Sequence, residues 1–473
     1  MLNNPPPVFV GPDRDPFMHG PQGRLLRLVA DDESIEDSPA ERLLEQLGHR
    51  PSARVHWTRR PASTRATLKP LVRERDYVPA LIEDGEDAIE TAIPAASHIS
   101  ERSATFAREH GVARDDVERL LQLATLGRTW NRIDAIVVGS TLLSGPPLDR
   151  LLLPQCQTPA EALALLGLNL RAHGDFAVSR EGSMTRAMDG AQFYRAVAFE
   201  HVEGLDSWMG GATSHWLHSG ARPWTLLDGI ATRLGRAFRA RDYLQVRLRA
   251  LDFEAVWDEV LFFFDVVLIH AMGALDLLAR LLHDLYALPG FSRHASWRSR
   301  RLSGGWVTAL VQAAPRLGDV AAAGQPVGDV VDLVAELRNF IHEVPPSSEI
   351  RDADDFPGIH MWGAGLIALV RSGAADTMLA AGERRGGLVV WGLSDRRAGS
   401  AVVLDPGRFA EQALRSCTAA VSSVLALVDR ERLATGPPVD VARGVPNRQD
   451  RENAAALFGL SAGGLRQERV TSA

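Results

Sequence analysis

Apolar residues recur along this chain mainly at the three- and four-residue spacing of helices. That spacing predicts helices over 158–173, 189–202, 226–251, 252–288, 328–343 and 408–429. A helical pattern also covers 97–127, and a short one lies near 453–458. Start and stop residues frame several of these segments. Thr158-Pro159 opens one and Gly174 closes it, Pro289-Gly290 ends the longest, and Pro345-Pro346 ends the helix that begins near Gly328-Asp329. Strand-like runs are fewer: Arg132 to Leu143, Gly365–Val370 and Gly387–Gly392. No repeat of fixed period is present.

The expected fold is therefore mostly α. It has a helical bundle in the C-terminal half, a mixed and largely helical N-terminal region, and a few short strands. The expected organisation is a disordered N-terminus over 1–23, a small mixed domain over 24–150, a helical middle region over 151–251, the bundle with an insertion over 252–434, and a flexible tail over 435–473.

The longest apolar run, Val260 to Leu282, contains Asp265, His270, Asp276 and Arg280. Those charges argue for a buried helix rather than a membrane span. Asp265, Asp276 and His283 are eleven and seven residues apart, so on a helix all three fall within roughly 20° of one direction. Buried carboxylates need partners. This stripe either meets polar residues of another helix or is satisfied by an internal Asp276–Arg280 pair, by solvent or by a second subunit.

Composition narrows the field. The chain has 473 residues, 45% hydrophobic, enough for two or three domains. A formal net charge of -7 does not suggest a general nucleic-acid binder. Nearly all its basic residues are arginine, with one lysine at position 69, a bias of GC-rich bacterial coding sequences. Arginine abundance alone is thus no argument for RNA contact. Two cysteines, Cys156 and Cys417, exclude a disulfide framework and a multi-cysteine zinc site. The N-terminus carries no basic region followed by an apolar run, so a cytoplasmic protein without a membrane segment or cofactor is expected.

The chemistry-bearing stretch is Leu337-Arg338-Asn339-Phe340-Ile341-His342-Glu343. Residues four apart lie one above another on a helix, so Arg338, Asn339 and His342 share one flank, while Val334, Leu337 and Ile341 face a core. His342 falls in the last turn, where the helix dipole favours imidazolium. An arginine beside a histidine can hold a phosphate and move a proton, the two tasks of RNA cleavage by a neighbouring 2′-hydroxyl.

This run resembles the signature of the HEPN superfamily, small helical bundles of bacterial toxins, antiphage defence proteins and CRISPR-associated ribonucleases. The family pattern is an arginine, often followed by a polar residue, then a histidine after four to six intervening residues; three intervene here. The resemblance covers roughly 252–429. It implies that Arg338 stabilises the scissile phosphate, that His342 transfers a proton and that Asn339 orients either one. It also implies metal-free cleavage at a site shared by a homodimer. Asp265, Asp276, His283 and Glu343 would support the site. The same residues also suit a plain helix C-cap, with Glu336 or Glu343 as partners, on a non-catalytic interaction protein.

Three other features bear on function. Residues 105–118 have helix-turn-helix spacing, with Ala107 small and Gly111 at the turn, but the second helix would present Asp115, Asp116 and Glu118 to phosphates. A DNA-binding regulator is therefore a third reading, and a protein partner for the N-terminal half fits better. His215 and His218, among Trp208, Trp216 and Trp224, read as an aromatic packing loop rather than a metal site. Arg298, Arg300 and Arg301 with Trp297 form a basic stretch suited either to RNA contact or to a solvated loop. No Gly-Lys-Ser/Thr loop or Gly-x-Ser-x-Gly elbow occurs.

Overall fold

A computed structural model describes residues 25–31, 34–35, 38–48, 50–59, 77–84, 87–94, 103–109, 111, 113–117, 134–139, 156–179, 185–248, 253–297, 305–322, 324–343, 347–351, 365–371, 375–398, 401–433 and 444–459. The chain is mostly helical. It divides into two compact units, residues 1–187 with 456–459, and residues 188–455 with 460–473. The division at 187/188 replaces the expected boundaries at 150 and 251. The expected disordered segment over 1–23 lies outside the described residues.

The first unit is built on a six-stranded sheet. Its strands are β1 (Leu26–Asp31), β2 (Ala53–Arg59), β3 (Tyr77–Asp84), β4 (Asp87–Pro94), β5 (Ala135–Val137) and β6 (Cys156–Gln157), in the order β4-β3-β2-β1-β5-β6. β2, β1, β5 and β6 run parallel, and the β3–β4 hairpin adds antiparallel to β2. Leu28, Val29 and Ala30 are buried in succession, as in a parallel strand covered on both faces. The helices α1 (Pro39–Leu47) and α2 (Pro159–Ala172) both start from capping boxes, Ser38 with Glu41 and Thr158 with Glu161. α2 belongs here, not to a separate middle region. Its Gly167 lets the backbone of residue 457 approach, and Arg171 Nη1 donates to the Leu457 carbonyl at 2.8 Å. Residues 444–459 thus contain ordered helix rather than a flexible tail, because Leu457 and Phe458 are buried.

Chain order reverses at β1, between β2 and β5. There the Gly139 N–H donates to Ser34 Oγ at 3.0 Å, and a Cβ on Gly139 would lie 1.8 Å from the Ser34 carbonyl oxygen. Residues 103–109 and 114–117 are helical, and Gly111 between them has φ +68°, the left-handed turn the sequence implied. A two-stranded ribbon, β7 (Ala177–Ser179) with β8 (Thr185–Ala187), completes this unit.

The second unit is a helical bundle. Its helices are α3 (Gly190–His201), α4 (Leu205–His218), α5 (Arg222–Arg247), α6 (Phe253–Leu285), α7 (Trp306–Ala313), α8 (Pro326–Glu343), α9 (Ala375–Arg384) and α10 (Pro406–Leu427). A further helix, α11 (Arg448–Phe458), carries the chain on to residues 456–459 of the first unit. β9 (Ser347–Arg351), β10 (Gly365–Arg371), β11 (Leu393–Ala398) and β12 (Ala401–Leu404) make an antiparallel sheet ordered β11-β12-β10-β9. The apolar run at Gly387–Gly392 is a turn, not a strand. Gly387 and Gly392 have positive φ, Val389 and Val390 are exposed, and the strand begins at Leu393.

Helix α6 is long and apolar enough to cross a membrane, over Asp258–Leu285, yet it serves as the core helix of the bundle. α5 runs antiparallel to it: Tyr243 meets Phe263, Arg233 crosses Gly273, and Leu277 fits against Gly229. On another side Phe264 packs edge-on to Phe409 of α10 at 5.9 Å, and Phe409 in turn meets Trp391 at 5.4 Å. α8 is fixed at its first turn by Asp329, a fully buried carboxylate that accepts from Arg384 Nη2 at 2.6 Å and faces Arg385 Nε at 3.3 Å.

One polar network lies inside the bundle. Buried Arg241 bonds Glu411 of α10 through Nε and Asp242 Oδ1 through Nη1 at 2.9 Å. Tyr194 Oη donates to Asp242 Oδ2 at 2.8 Å, which ties α3 to α5. His201 sits beside it with Nε2 unpaired; burial, then the charges of Arg415 and Arg241, push its pKa down to about 4. Truncating Arg241→Ala strands two carboxylates in the interior and is expected to cost about 3–5 kcal/mol in urea unfolding of the second unit. His201 is neutral when folded and takes up a proton near its ordinary value when unfolded. Its contribution is complete above about pH 6.5 and is lost as pH falls toward 4. His201→Leu should flatten that acid-side decline; an unchanged slope would show that another group causes it.

Candidate functional site

The site is built on α6 and α8. Leu337 is buried against the core, and Arg338, the next residue, turns toward the flank of α6. Its Nη1 lies 3.5 Å from Asp276 Oδ2, with the two side chains 30% and 25% exposed. The structure thus brings together two residues 62 positions apart that the sequence had placed on facing stripes. Arg338 Nε is buried and has no hydrogen-bond partner, and Arg280 Nε, one turn along α6 from Asp276, is in the same condition. Guanidinium N–H groups without acceptors, next to a single carboxylate, can receive an anion.

Asn339, His342 and Glu343 continue α8 to its last residue, so the helical spacing that puts Asn339 and His342 on the Arg338 flank is kept. Their side chains, and that of Glu336, lie outside the described residues.

The stripe on α6 does not behave as a unit. Asp265 Oδ1 is buried without a partner, and burial raises its pKa to about 6. Asp276 is held by Arg338. His283 is buried near the end of the helix with Nδ1 unpaired, so it is a core histidine rather than an open site residue.

Arg298, Arg300 and Arg301 lie outside the described residues. Trp297, which the sequence left open between RNA contact and a solvated loop, is buried. Its Nε1 donates to the Leu275 carbonyl at 2.8 Å and its ring meets Trp306 edge-on at 5.3 Å, which fixes the chain after α6. His215 and His218 belong to helix α4, not to a loop, and His218 Nδ1 lies 2.8 Å from the Ser214 carbonyl. Among the described residues no group of three metal-ligating side chains occurs. In the helix-turn-helix lookalike, Ala107 and Val117 are buried as expected, while Arg114, Asp115 and Asp116 are exposed.

Residues that the sequence did not single out lie on α5. Arg233, Arg236, Arg239 and Tyr243 recur at three- and four-residue spacing and border the open side of α6, as does His270 of α6 itself. The signal was present as a basic stripe on an otherwise apolar helix, but it was hidden among the chain's many arginines.

No family model matches this chain, and no curated protein or solved structure is detectably similar to it.

The Asp265 environment gives a pH test. Its folded pKa is raised, so the stability of its neutral form is complete at low pH and lost as pH rises through about 6. Asp265→Asn is expected to raise the melting temperature more at about pH 7.5 than at about pH 4.5. An equal gain at both would mean that Asp265 ionises without penalty.

Proposed function

We propose that the second unit is a metal-independent RNA endonuclease of HEPN-like type, acting at the Arg338–His342 end of α8. Arg338 binds the scissile phosphate and neutralises charge on the pentavalent transition state. The 2′-hydroxyl attacks phosphorus, the bond to the 5′-oxygen breaks, and a 2′,3′-cyclic phosphate and a 5′-hydroxyl result. One histidine takes the proton from the 2′-oxygen and a second gives one to the leaving oxygen. Each chain carries one such histidine, so the complete site is that of a homodimer. Asn339 orients the phosphate, and Asp276 holds the guanidinium in place.

The observation that carries this reading is the position of Arg338. Its guanidinium stands on a partly open flank against Asp276, with Nε still lacking an acceptor. In cellular terms the protein is a cytoplasmic toxin or antiphage effector, and the α/β unit is its regulatory region or protein-binding arm. Open parallel sheets take ligands where strand order reverses, which points to the β1–β5 junction as the place to look for control.

The same ion pair favours a second reading, a non-catalytic binding platform in which Arg338 is structural. The full-length protein should cleave single-stranded RNA in the presence of EDTA and leave cyclic phosphate ends, and His342→Ala should lower the rate by at least about 100-fold. Cleavage that survives His342→Ala unchanged would remove the site assignment, and absence of cleavage by the dimer would leave the platform reading in its place.

A further inference from the structure

We infer that the open face of α6, between α5 and α8, is a track for single-stranded RNA that leads to Arg338. The inference rests on the ribonuclease reading only for what happens at the end of the track. At 100° per residue, Phe262, Asp265, Ile269, Gly273, Asp276 and Arg280 fall within about 80° of one another. None is fully buried except Gly273, whose missing side chain leaves room for an arginine. This strip of α6 is only partly covered among the described residues.

One end of the strip is aromatic. Phe262 is 61% exposed and Tyr243 42%. Tyr243 stacks on Phe263 at 5.0 Å and 23°, and Phe262 stands edge-on to Phe263 at 5.3 Å. Arg239 lies over the Tyr243 ring at 5.6 Å, with its Nη2 donating to Tyr243 Oη at 3.1 Å. Exposed aromatic rings of this kind cost solvation unless something flat covers them.

The middle and the other end are cationic. Arg233 lies across Gly273, where a Cβ would come within 2.7 Å of its Nη1. Arg233 and Arg236 make no ion pair among the described residues, and both act on His270, whose pKa is lowered by burial and by their charge. Arg280 and Arg338 follow toward α8. Among the described side chains along the strip, five guanidinium groups (233, 236, 239, 280 and 338) accompany two carboxylates (265 and 276), in a chain of net charge -7. At the aromatic end Arg247 is paired with Glu259, and Asp258 is exposed, so the excess positive charge begins past the rings.

A row of arginines, two of them (Arg233 and Arg236) without an ion pair among the described residues, beside stacked, exposed rings is the chemistry that recognises unstacked bases on a sugar-phosphate backbone. A duplex hides its base faces and would engage only the arginines. An apolar protein partner would cover the rings but leave Arg233 and Arg236 without counterions.

The test uses the full-length His342→Ala protein and a fluorescein-labelled 12-nucleotide mixed-sequence RNA, read by anisotropy as salt is varied. Tyr243→Ala should weaken binding roughly tenfold or more, and Tyr243→Phe should restore it. With an oligonucleotide of abasic residues the Tyr243→Ala effect should vanish. The double variant Arg233→Ala/Arg236→Ala should weaken binding and reduce the slope of log affinity against log salt by about 1.4. Binding of a blunt duplex as tight as that of the single strand would overturn the track. So would an unchanged affinity in Tyr243→Ala, or a shift from dimer to monomer in Phe262→Ala sedimentation without loss of RNA affinity, which would assign the face to a second copy. RNA binding that follows these variants in a wild-type protein without nuclease activity would uphold the track and remove the catalytic reading instead.

Discussion

The second unit depends on the need to enclose α6. A helix of 33 residues that is apolar over most of its circumference cannot stand in water, and at about 25 cal/mol per Å² the drive to cover it outweighs any single polar contact nearby. α5 covers one side along its whole length, α10 covers the side of Phe264, and α8 comes in near Asp276. Trp297 adds a contact at Leu275, and these neighbours still leave part of the circumference open. The strip left over carries Asp265, Asp276 and Arg280, so the position of the candidate site follows from which side the packing leaves partly open.

Polar groups inside the bundle and polar groups on that strip do different work. The Arg241, Asp242, Glu411 and Tyr194 network is buried and closely matched, donor to acceptor, and it fixes α3, α5 and α10 relative to one another. Such a network is weak evidence for added stability, because desolvation offsets much of the attraction, but it specifies one arrangement and penalises others. On the strip, the buried Arg280 Nε and Arg338 Nε lack acceptors, and Arg233 and Arg236 lack carboxylates, among the described residues. The unmet donors there are guanidinium groups, which an anionic ligand can satisfy, while Asp265 Oδ1 is an unmet acceptor on the same strip.

Many helices of both units are readable from local signals. Thr158, Asp189 and Asp405 each precede a helix and cap it through the side chain, and proline follows two of them at the first helical position. The facing of Asp276 toward another helix's arginine is also legible, since periodicity fixes which flank each occupies. Other features are not local. α4 was missed because Gly210 and Gly211 interrupt its pattern, and only tertiary packing, with Gly211 against Leu433, makes small residues useful there. The six-stranded sheet depends on β1 finding partners at 53–59 and 135–137, pairings that sequence spacing does not record. The run Leu388 to Trp391 has the composition of a strand, and glycines with positive φ at 387 and 392 decide otherwise.

Whether Asp276 silences Arg338 or prepares it turns on magnitudes. A pair at 3.5 Å with both side chains a quarter or more exposed is worth at most about 1 kcal/mol. A phosphate meeting the same guanidinium in bidentate geometry makes two charge-assisted bonds, each stronger than a neutral one. Arg338 Nε has no acceptor among the described residues, so one of those two bonds displaces no existing contact. The anion therefore does not have to break a strong contact to bind; it adds acceptors where acceptors are lacking, while Asp276 keeps one edge of the guanidinium oriented. The ion pair that makes Arg338 look structural is weak enough to serve as its positioning contact, and a carboxylate in that place limits the net charge of the site without closing it.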